Sequence, residues 1–152
     1  MTEDLLFVYG TLRRDAGSKM HHPLAEYADF VAEATYQGRL YRVDYYPGAV
    51  PSHNRMDRVR GEVYALREPE IVLPKLDHYE ECGPGFPEPT EYIRRREEIM
   101  LADQTRCRAW VYIYNRPTDR LERIASGDFL ADEAAKTQRR LNTPQTQSSK
   151  CL

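Results

Sequence analysis

A turn near the start of the chain carries residue types suited to holding an anion. Residues 5–9 are all large and apolar, which is typical of a buried strand, and Gly10, Thr11 and Leu12 follow directly. Gly10 lets the backbone adopt angles that a residue with a Cβ resists. The amide N–H groups of Thr11 and Leu12, turned to one side, would form a small concavity that binds anions. We therefore expect this turn to be able to hold a carboxylate, although the same pattern is common in turns that bind nothing.

A second segment, Leu76-Asp77-His78-Tyr79-Glu80, contains several titratable side chains. From residue types alone, His78 is the first candidate for a general base, because the ordinary pKa of histidine lies near neutrality. A glutamate at the end of a helix is, in an arbitrary sequence, most often a solvated charge. The adjacent pair His21-His22 has the residue type of a metal site but no third ligand in view, so we expect no bound metal.

The elements that must position these residues are mostly strands. Apolar and alternating runs predict strands at residues 5–9, 31–43, 59–66, 92–101 and 106–114, with a bend or bulge at Gly38 and a short extended piece at 45–50. Helical periodicity predicts helices at 23–30, 68–81 and 128–141, the second of which could begin after Pro74. The pattern predicts one α+β domain at residues 1–141, built on a crossed or barrel-like mixed sheet with two or three peripheral helices, and a flexible tail at 142–152.

Composition excludes several classes of function. The chain has 152 residues, 41% hydrophobic and 30% charged, with a formal net charge of −2, which gives no overall field for attracting nucleic acid or an anionic membrane. Three cysteines without CxxC spacing indicate neither a disulfide framework nor a zinc site. The N-terminus lacks the pattern of a signal peptide, and no run is long enough to span a bilayer. We expect a soluble cytoplasmic protein, a monomer or weak homodimer, whose partner is a small molecule.

Eight short motifs occur in order between Phe7 and about Phe129, and together they resemble a known family. The motifs are Val8-Tyr9-Gly10-Thr11-Leu12, Gly38-Arg39-Leu40-Tyr41, Tyr46-Pro47-Gly48-Ala49, Gly61-Glu62-Val63-Tyr64, Leu76-Asp77-His78-Tyr79-Glu80, Tyr92-Ile93-Arg94, Trp110-Val111-Tyr112 and Gly127-Asp128-Phe129. In this order they resemble the gamma-glutamylcyclotransferase-like family, which includes the gamma-glutamylamine cyclotransferases and the AIG2-like proteins. Each motif is loose alone, whereas their shared order covers nearly the whole folded part of the chain.

The resemblance implies a small mixed β-barrel with helices packed around it and an enzyme that needs no metal or cofactor. In the implied reaction the α-amine of a gamma-glutamyl compound attacks its own γ-carbonyl, and 5-oxoproline leaves together with a free amine or amino acid. Glu80 then corresponds to the general acid/base, and an apolar wall built from tyrosines such as Tyr9, Tyr46 or Tyr112 would raise its pKa. The resemblance further implies that the substrate-binding residues are Tyr9, Gly10, Thr11, Leu12 and Tyr112.

One departure from the family pattern lies next to Glu80. The family usually has glycine at the following position, where this chain has Glu81, and a Pro- and Gly-rich loop at 82–90 comes after it. We expect Glu81 to point outward and Gly83 to make the turn. We also expect Asp77 to contact solvent or a backbone amide rather than substrate.

Three functions are compatible with the sequence. The leading hypothesis is a cyclotransferase that acts on a gamma-glutamyl amine or gamma-glutamyl amino acid, and the Tyr-Gly-Thr-Leu form of the first motif favours a small gamma-glutamyl amine over glutathione. The second is a catalytically silent module on the same fold that binds a small carboxylate. The third is a surface-interaction role for the loop at 82–90, which rests on composition alone.

Overall fold

Seven strands and three helices make up the described part of the chain. The computed structural model describes residues 4–10, 12–13, 21–83 and 85–142, without the side chains of 21–23 and 139–142. The elements are β1 (Asp4–Val8), α1 (His21–Tyr27), β2 (Ala28–Arg42), β3 (Pro47–Pro51), β4 (Arg58–Leu66), α2 (Pro69–Tyr79), β5 (Tyr92–Leu101), β6 (Arg106–Tyr114), β7 (Glu122–Arg123) and α3 (Phe129–Asn142). None of the helices in these ranges is long and apolar enough to cross a membrane.

Five strands close into a barrel. β4 pairs antiparallel with β1 and with β2, and β2 pairs antiparallel with β3. β6 closes the ring because it pairs in parallel with both β3 and β1. β5 extends the sheet beside β6 and also pairs with β2, while β7 adds a short edge to β2. The predicted α+β fold, a small mixed β-barrel with peripheral helices, is confirmed.

Alternation along the strands divides the apolar residues into two clusters. In β1, Phe7 packs with Val63 and Val111 in one cluster, whereas its neighbour Leu6 packs in the other with Val72 and Leu76 of α2. This follows from the two-residue period of a strand, which sends successive side chains to opposite faces of the sheet. The second cluster therefore fixes α2 against the outside of the barrel.

Helix α2 (Pro69–Tyr79) agrees with the helix predicted at 68–81 and does not begin after Pro74. Pro69 stands in its first turn, where the missing N–H costs nothing, and the helix continues through Pro74 to Tyr79. The buried residues Val72, Leu73 and Leu76 hold it to the sheet, so tertiary packing outweighs the hydrogen bond that Pro74 cannot donate.

Two features of the strands differ from what the sequence predicted. The irregularity in β2 lies between Phe30 and Ala32 and not at Gly38. Gly38 is needed for close packing instead, since a Cβ there would lie 2.5 Å from the carbonyl oxygen of Val50. The short strand β7 was not predicted. Residues 14–20, and residues 143–152 of the predicted tail, lie outside the described residues.

Candidate active site

One cavity lies where the end of β1, the start of β3, the end of α2 and strands β5 and β6 meet. Its volume is about 110 Å³. Its lining is dominated by tyrosines and glutamates and includes no arginine, lysine or histidine among the residues that the structure describes. The lining residues are Phe7, Val8, Tyr9, Gly10, Leu12, Tyr45, Tyr46, Pro47, Tyr79, Glu80, Glu81, Glu91, Tyr92 and Tyr112.

The turn after β1 forms one side of the cavity. The N–H of Arg13 donates to the carbonyl of Gly10 at 3.0 Å, which holds these two residues together after the end of β1. Gly10 does not adopt a left-handed backbone here; glycine is needed because a Cβ would lie 2.7 Å from the ring of Pro47. Gly10 and Leu12 line the cavity, whereas Thr11 lies outside the described residues.

Tyr9 connects three strands beneath this turn. Its hydroxyl donates to the carbonyl of Tyr112 at 2.6 Å and accepts from the N–H of Ala49 at 3.1 Å. Burial, together with the negative charge of Glu80, raises the pKa of Tyr9 well above its ordinary value. The group is therefore a neutral hydroxyl at physiological pH, and its hydrogen bonds fix the end of β1 against β3 and β6.

Glu80 directly follows the last residue of α2, in a turn that is held by backbone hydrogen bonds to the helix. Its own N–H donates to the carbonyl of Leu76 at 2.8 Å. The N–H of Glu81 donates to the backbone carbonyl of His78 at 3.1 Å, and the N–H of Cys82 donates to the backbone carbonyl of Asp77 at 3.0 Å. These two bonds make the Schellman motif that commonly ends helices, in which the residue after the cap takes a left-handed conformation.

Glu81 occupies that left-handed position with a φ of 53°. Glycine is the usual residue there, because it has no Cβ to crowd the following carbonyl. The sequence-based expectation assigned the turn to Gly83, which also has a positive φ, but Glu81 itself takes the first left-handed position. Glu81 is exposed, at the edge of the cavity.

The carboxyl group of Glu80 has the electrostatics of a proton-transfer group. Glu80 is partly buried, and loss of water around its carboxyl raises its pKa to about 8, with a smaller contribution from the negative charge of Glu91. Near pH 8 such a group is present in both its neutral and its ionised forms. A carboxyl that can both accept and donate a proton near neutrality is suited to general acid–base catalysis.

Glu91 is a further carboxylate in the cavity lining, beside Glu80 and Glu81, and sequence reasoning did not single it out. The hydroxyl of Tyr46 donates a short hydrogen bond to Oε2 of Glu91. The ring of Tyr46 packs edge-on against Tyr45 at 5.0 Å, and its hydroxyl has a raised pKa because of burial and the Glu91 bond. The one signal in the sequence that could have pointed to Glu91 is its position directly before the matched motif Tyr92-Ile93-Arg94.

Asp77 contacts side chains from two other elements, contrary to the expectation of solvent or a backbone amide. Arg94 of β5 binds both of its carboxylate oxygens, with N–O distances of 2.8 and 3.1 Å. The hydroxyl of Tyr112 of β6 donates to Oδ1 of Asp77 at 2.7 Å. His78, by contrast, is exposed, lies with its ring centre 5.5 Å from that of Phe86 and does not line the cavity.

The structure thus brings most of the sequence-predicted site residues to one cavity. Those that line it are Tyr9, Gly10, Leu12, Glu80 and Tyr112. Sequence reasoning did not select Glu91, Tyr79 and Tyr92 as residues of the cavity lining. It also did not predict that Arg94 binds the carboxylate of Asp77. Their residue types are those of ordinary strand and loop positions, so only the fold shows that they converge.

Comparison with known proteins gives the same family over most of the chain. A family model described as gamma-glutamyl cyclotransferase, AIG2-like, matches residues 6–131. The gamma-glutamylcyclotransferase family protein YtfP of Escherichia coli strain K12 is 36% identical over 125 residues, which cover 82% of this chain and 95% of YtfP.

Solved structures show the same fold. The crystal structure of YkqA from Bacillus subtilis matches with a TM-score of 0.70 at 26% identity, over 90% of this chain and 43% of YkqA, so this chain spans less than half of that protein. An AIG2-like protein from Mus musculus matches with a TM-score of 0.58 at 22% identity, over 77% of this chain and 82% of that one, which shows a likeness of fold alone.

Proposed function

Because this chain belongs to the gamma-glutamyl cyclotransferase, AIG2-like family, we propose that it releases 5-oxoproline from a gamma-glutamyl amine or gamma-glutamyl amino acid. The observation that carries the proposal is a glutamate with a raised pKa, Glu80, in a tyrosine-lined cavity that also contains the turn after β1. Surroundings that disfavour the charge of a carboxyl group lower the stability of the folded protein. Groups with strongly shifted pKa values are therefore found mainly where a function such as catalysis requires them.

The turn after β1 is assigned to the α-carboxylate of the substrate. The described cavity lining has no basic side chain that could hold this group, and backbone N–H groups in a turn bind anions without one. With the carboxylate held there, the gamma-glutamyl chain folds back within the cavity. Holding the attacking nitrogen about 3 Å from the γ-carbonyl carbon supplies several kcal/mol of the barrier.

Glu80 is assigned to the transfer of protons. Its carboxylate accepts a proton from the α-ammonium, and the freed lone pair attacks the γ-carbonyl carbon to form a tetrahedral intermediate. The amide C–N bond then breaks as the leaving nitrogen receives a proton from Glu80. Overall the α-nitrogen loses two protons and the leaving nitrogen gains two, so one group that alternately accepts and donates is sufficient.

The test is the release of 5-oxoproline by the purified full-length chain from a panel of gamma-glutamyl amines and dipeptides, glutathione included. The proposal predicts turnover of at least one member, with kcat/KM rising between pH 6 and about 8 as Glu80 ionises. Binding of gamma-glutamyl compounds without 5-oxoproline from any of them would contradict the enzyme assignment and favour a small-carboxylate binding module on the same fold.

A further inference from the structure

We propose that Asp77 is a positioning residue that fixes Glu80 relative to the turn that holds the substrate, by clamping the end of α2 to β5 and β6. The inference rests on the proposed function, because it assigns a role to Asp77 in the same reaction. Asp77 does not line the cavity, so it acts through its partners and does not touch substrate.

The side chain of Asp77 receives donors from two strands and from the turn after α2. Oδ1 accepts from Nε of Arg94 at 2.8 Å, from the hydroxyl of Tyr112 at 2.7 Å and from the thiol of Cys82 at 3.7 Å, while Oδ2 accepts from Nη2 of Arg94 at 3.1 Å. Two parallel bonds from one guanidinium restrict orientation as well as distance. Arg94 and Tyr112 stand directly opposite each other on β5 and β6, so the sheet presents both donors to the helix at once.

The donors are themselves held in place. The guanidinium of Arg94 packs over the ring of Trp110, with its central carbon 4.3 Å from the ring centre. Tyr112 is almost fully buried. Burial together with Asp77 raises the pKa of the Cys82 thiol to about 12, so the thiol is neutral and can donate. The clamp formed by Asp77 with Arg94, Tyr112 and Cys82 therefore has a fixed geometry, unlike an isolated ion pair on the surface.

The main chain of Asp77 acts on the same turn. Its carbonyl accepts the N–H of Cys82 at 3.0 Å, and Glu80 lies between these two residues. Asp77 thus holds the turn around Glu80 through its backbone and holds that turn to the sheet through its side chain. Tyr112 continues the connection, because its own carbonyl accepts the hydroxyl of Tyr9, the residue before Gly10. Hydrogen bonds of Asp77 and Tyr112 thus link the backbone turn around Glu80 to Tyr9, next to the turn that is proposed to bind the substrate carboxylate.

The first test is the kinetics of Asp77→Asn, which keeps the shape of the side chain and weakens the clamp. A displacement of about 1 Å in a reacting group can lower a rate about 100-fold. We expect kcat to fall by about tenfold or more with less than about a threefold change in KM. Because Asp77 acts partly through Tyr112, the double variant Asp77→Asn/Tyr112→Phe should fall by less than the product of the two single effects.

Asp57→Asn is the matched control. Asp57 is a buried carboxylate that binds arginine side chains, as Asp77 does, with Arg39 at 2.9 Å and Arg123 at 2.8 Å, but it does not line the candidate active site. Its replacement should lower thermal stability with kcat unchanged at a temperature where the variant is folded. Equal losses of kcat in Asp77→Asn and Asp57→Asn would show a merely structural role and overturn the inference.

The second test follows the carboxyl group of Glu80 by NMR titration and needs no turnover. In a loosened turn this carboxyl reaches more water, so its pKa should fall from about 8 in Asp77→Asn. Arg94→Gln separates position from charge: losing a nearby positive charge would raise the pKa of Glu80, whereas losing the clamp lowers it. A pKa of Glu80 that rises in Arg94→Gln, or is unchanged in both variants, overturns the inference. Absence of turnover in the wild-type chain would contradict the proposed function alone, since this titration is still decisive for the clamp.

Discussion

Glu80 and Glu91 line the same cavity, and the negative charge of Glu91 adds to the rise in the pKa of Glu80. Glu91→Gln removes that charge while it preserves an acceptor for the hydroxyl of Tyr46. We expect the pKa of Glu80 to fall, so the acid limb of the pH profile of kcat/KM should move to lower pH. Burial is the larger cause and is unchanged, so the movement should be a fraction of a pH unit.

The matched control for this prediction is Glu98→Gln. Glu98 is an exposed glutamate of β5 that pairs with Arg106 at 3.2 Å, outside the cavity. Its replacement should leave the acid limb in place. An acid limb that moves equally in both variants, or in neither, would contradict the coupling of Glu80 with Glu91.

At the residue scale, the sequence predicted those site residues that belong to a short continuous motif. The turn at Gly10 and the glutamate at the end of α2 were found by motif order, and both line the cavity. Glu91, Tyr92 and the Asp77–Arg94 pair were missed because their roles arise from contacts between segments far apart in the chain. A short motif contains no information on which distant strand will lie beside it.

At the scale of elements, the end of α2 contains a backbone conformation that its residue does not favour. Glu81 has a φ of 53° at the position where glycine is preferred. Glu81→Gly should therefore raise the free energy of unfolding by about 0.5–1 kcal/mol, because it removes the crowding of the Cβ in a left-handed conformation. Urea denaturation at constant pH measures the change.

Glu81→Ala distinguishes the backbone effect from the removal of a charge. Alanine lacks the carboxylate but still has a Cβ, so it should show little of the gain. If Glu81→Ala were as stabilising as Glu81→Gly, repulsion between neighbouring carboxylates would be the cause and the backbone account would be wrong.

Element boundaries followed the sequence where periodicity was long and uninterrupted. The predicted strands 92–101 and 106–114 agree with β5 and β6. The helix predicted at 23–30 ends at Tyr27, because Ala28 already pairs with Leu66 of β4. Likewise α2 extends through Pro74 since its apolar face is buried. In both cases tertiary pairing or packing outweighed a local preference, which a single segment does not show.

At the scale of the whole molecule, two carboxylates make opposite contributions to the pH dependence of stability. The folded-state pKa of Glu80, about 8, lies above its ordinary value of 4.5. The contribution of this group to the free energy of unfolding is therefore fully present below about pH 4.5 and is lost as pH rises through 8. For Asp57, hydrogen bonds from Ser52 and Arg39 lower the pKa to about 2, so its contribution is present above about pH 4 and is lost as pH falls through 2.

Glu80→Gln should therefore be more stable than the wild-type chain at pH 8 and nearly equal to it at pH 4.5. The difference in Tm between the two should grow steadily across that range. Thermal unfolding in a series of buffers measures it, with Glu98→Gln as a control that should show no such trend. A difference that is constant or that shrinks with rising pH would contradict the raised pKa of Glu80.

The sequence predicted the fold class of the barrel but not which strands pair to close it. Strand-rich periodicity and motif order indicated a mixed β-barrel, whereas the parallel pairings of β6 with β1 and β3 join segments about 60 to 100 residues apart. Those pairings complete the ring and bring Tyr112 beside Tyr9, with which it lines the cavity. The site is thus a consequence of barrel closure.

The most direct test of the central claim compares 5-oxoproline release by the wild-type chain and Glu80→Gln at pH 8, on the best substrate of the panel. Binding of that substrate to the variant is measured alongside, and Glu98→Gln serves as the control. General acid–base catalysis contributes about 100- to 10,000-fold, so turnover by Glu80→Gln should fall by a factor in that range while binding persists. Turnover that survives in Glu80→Gln would contradict the assignment of Glu80 as the proton-transfer group.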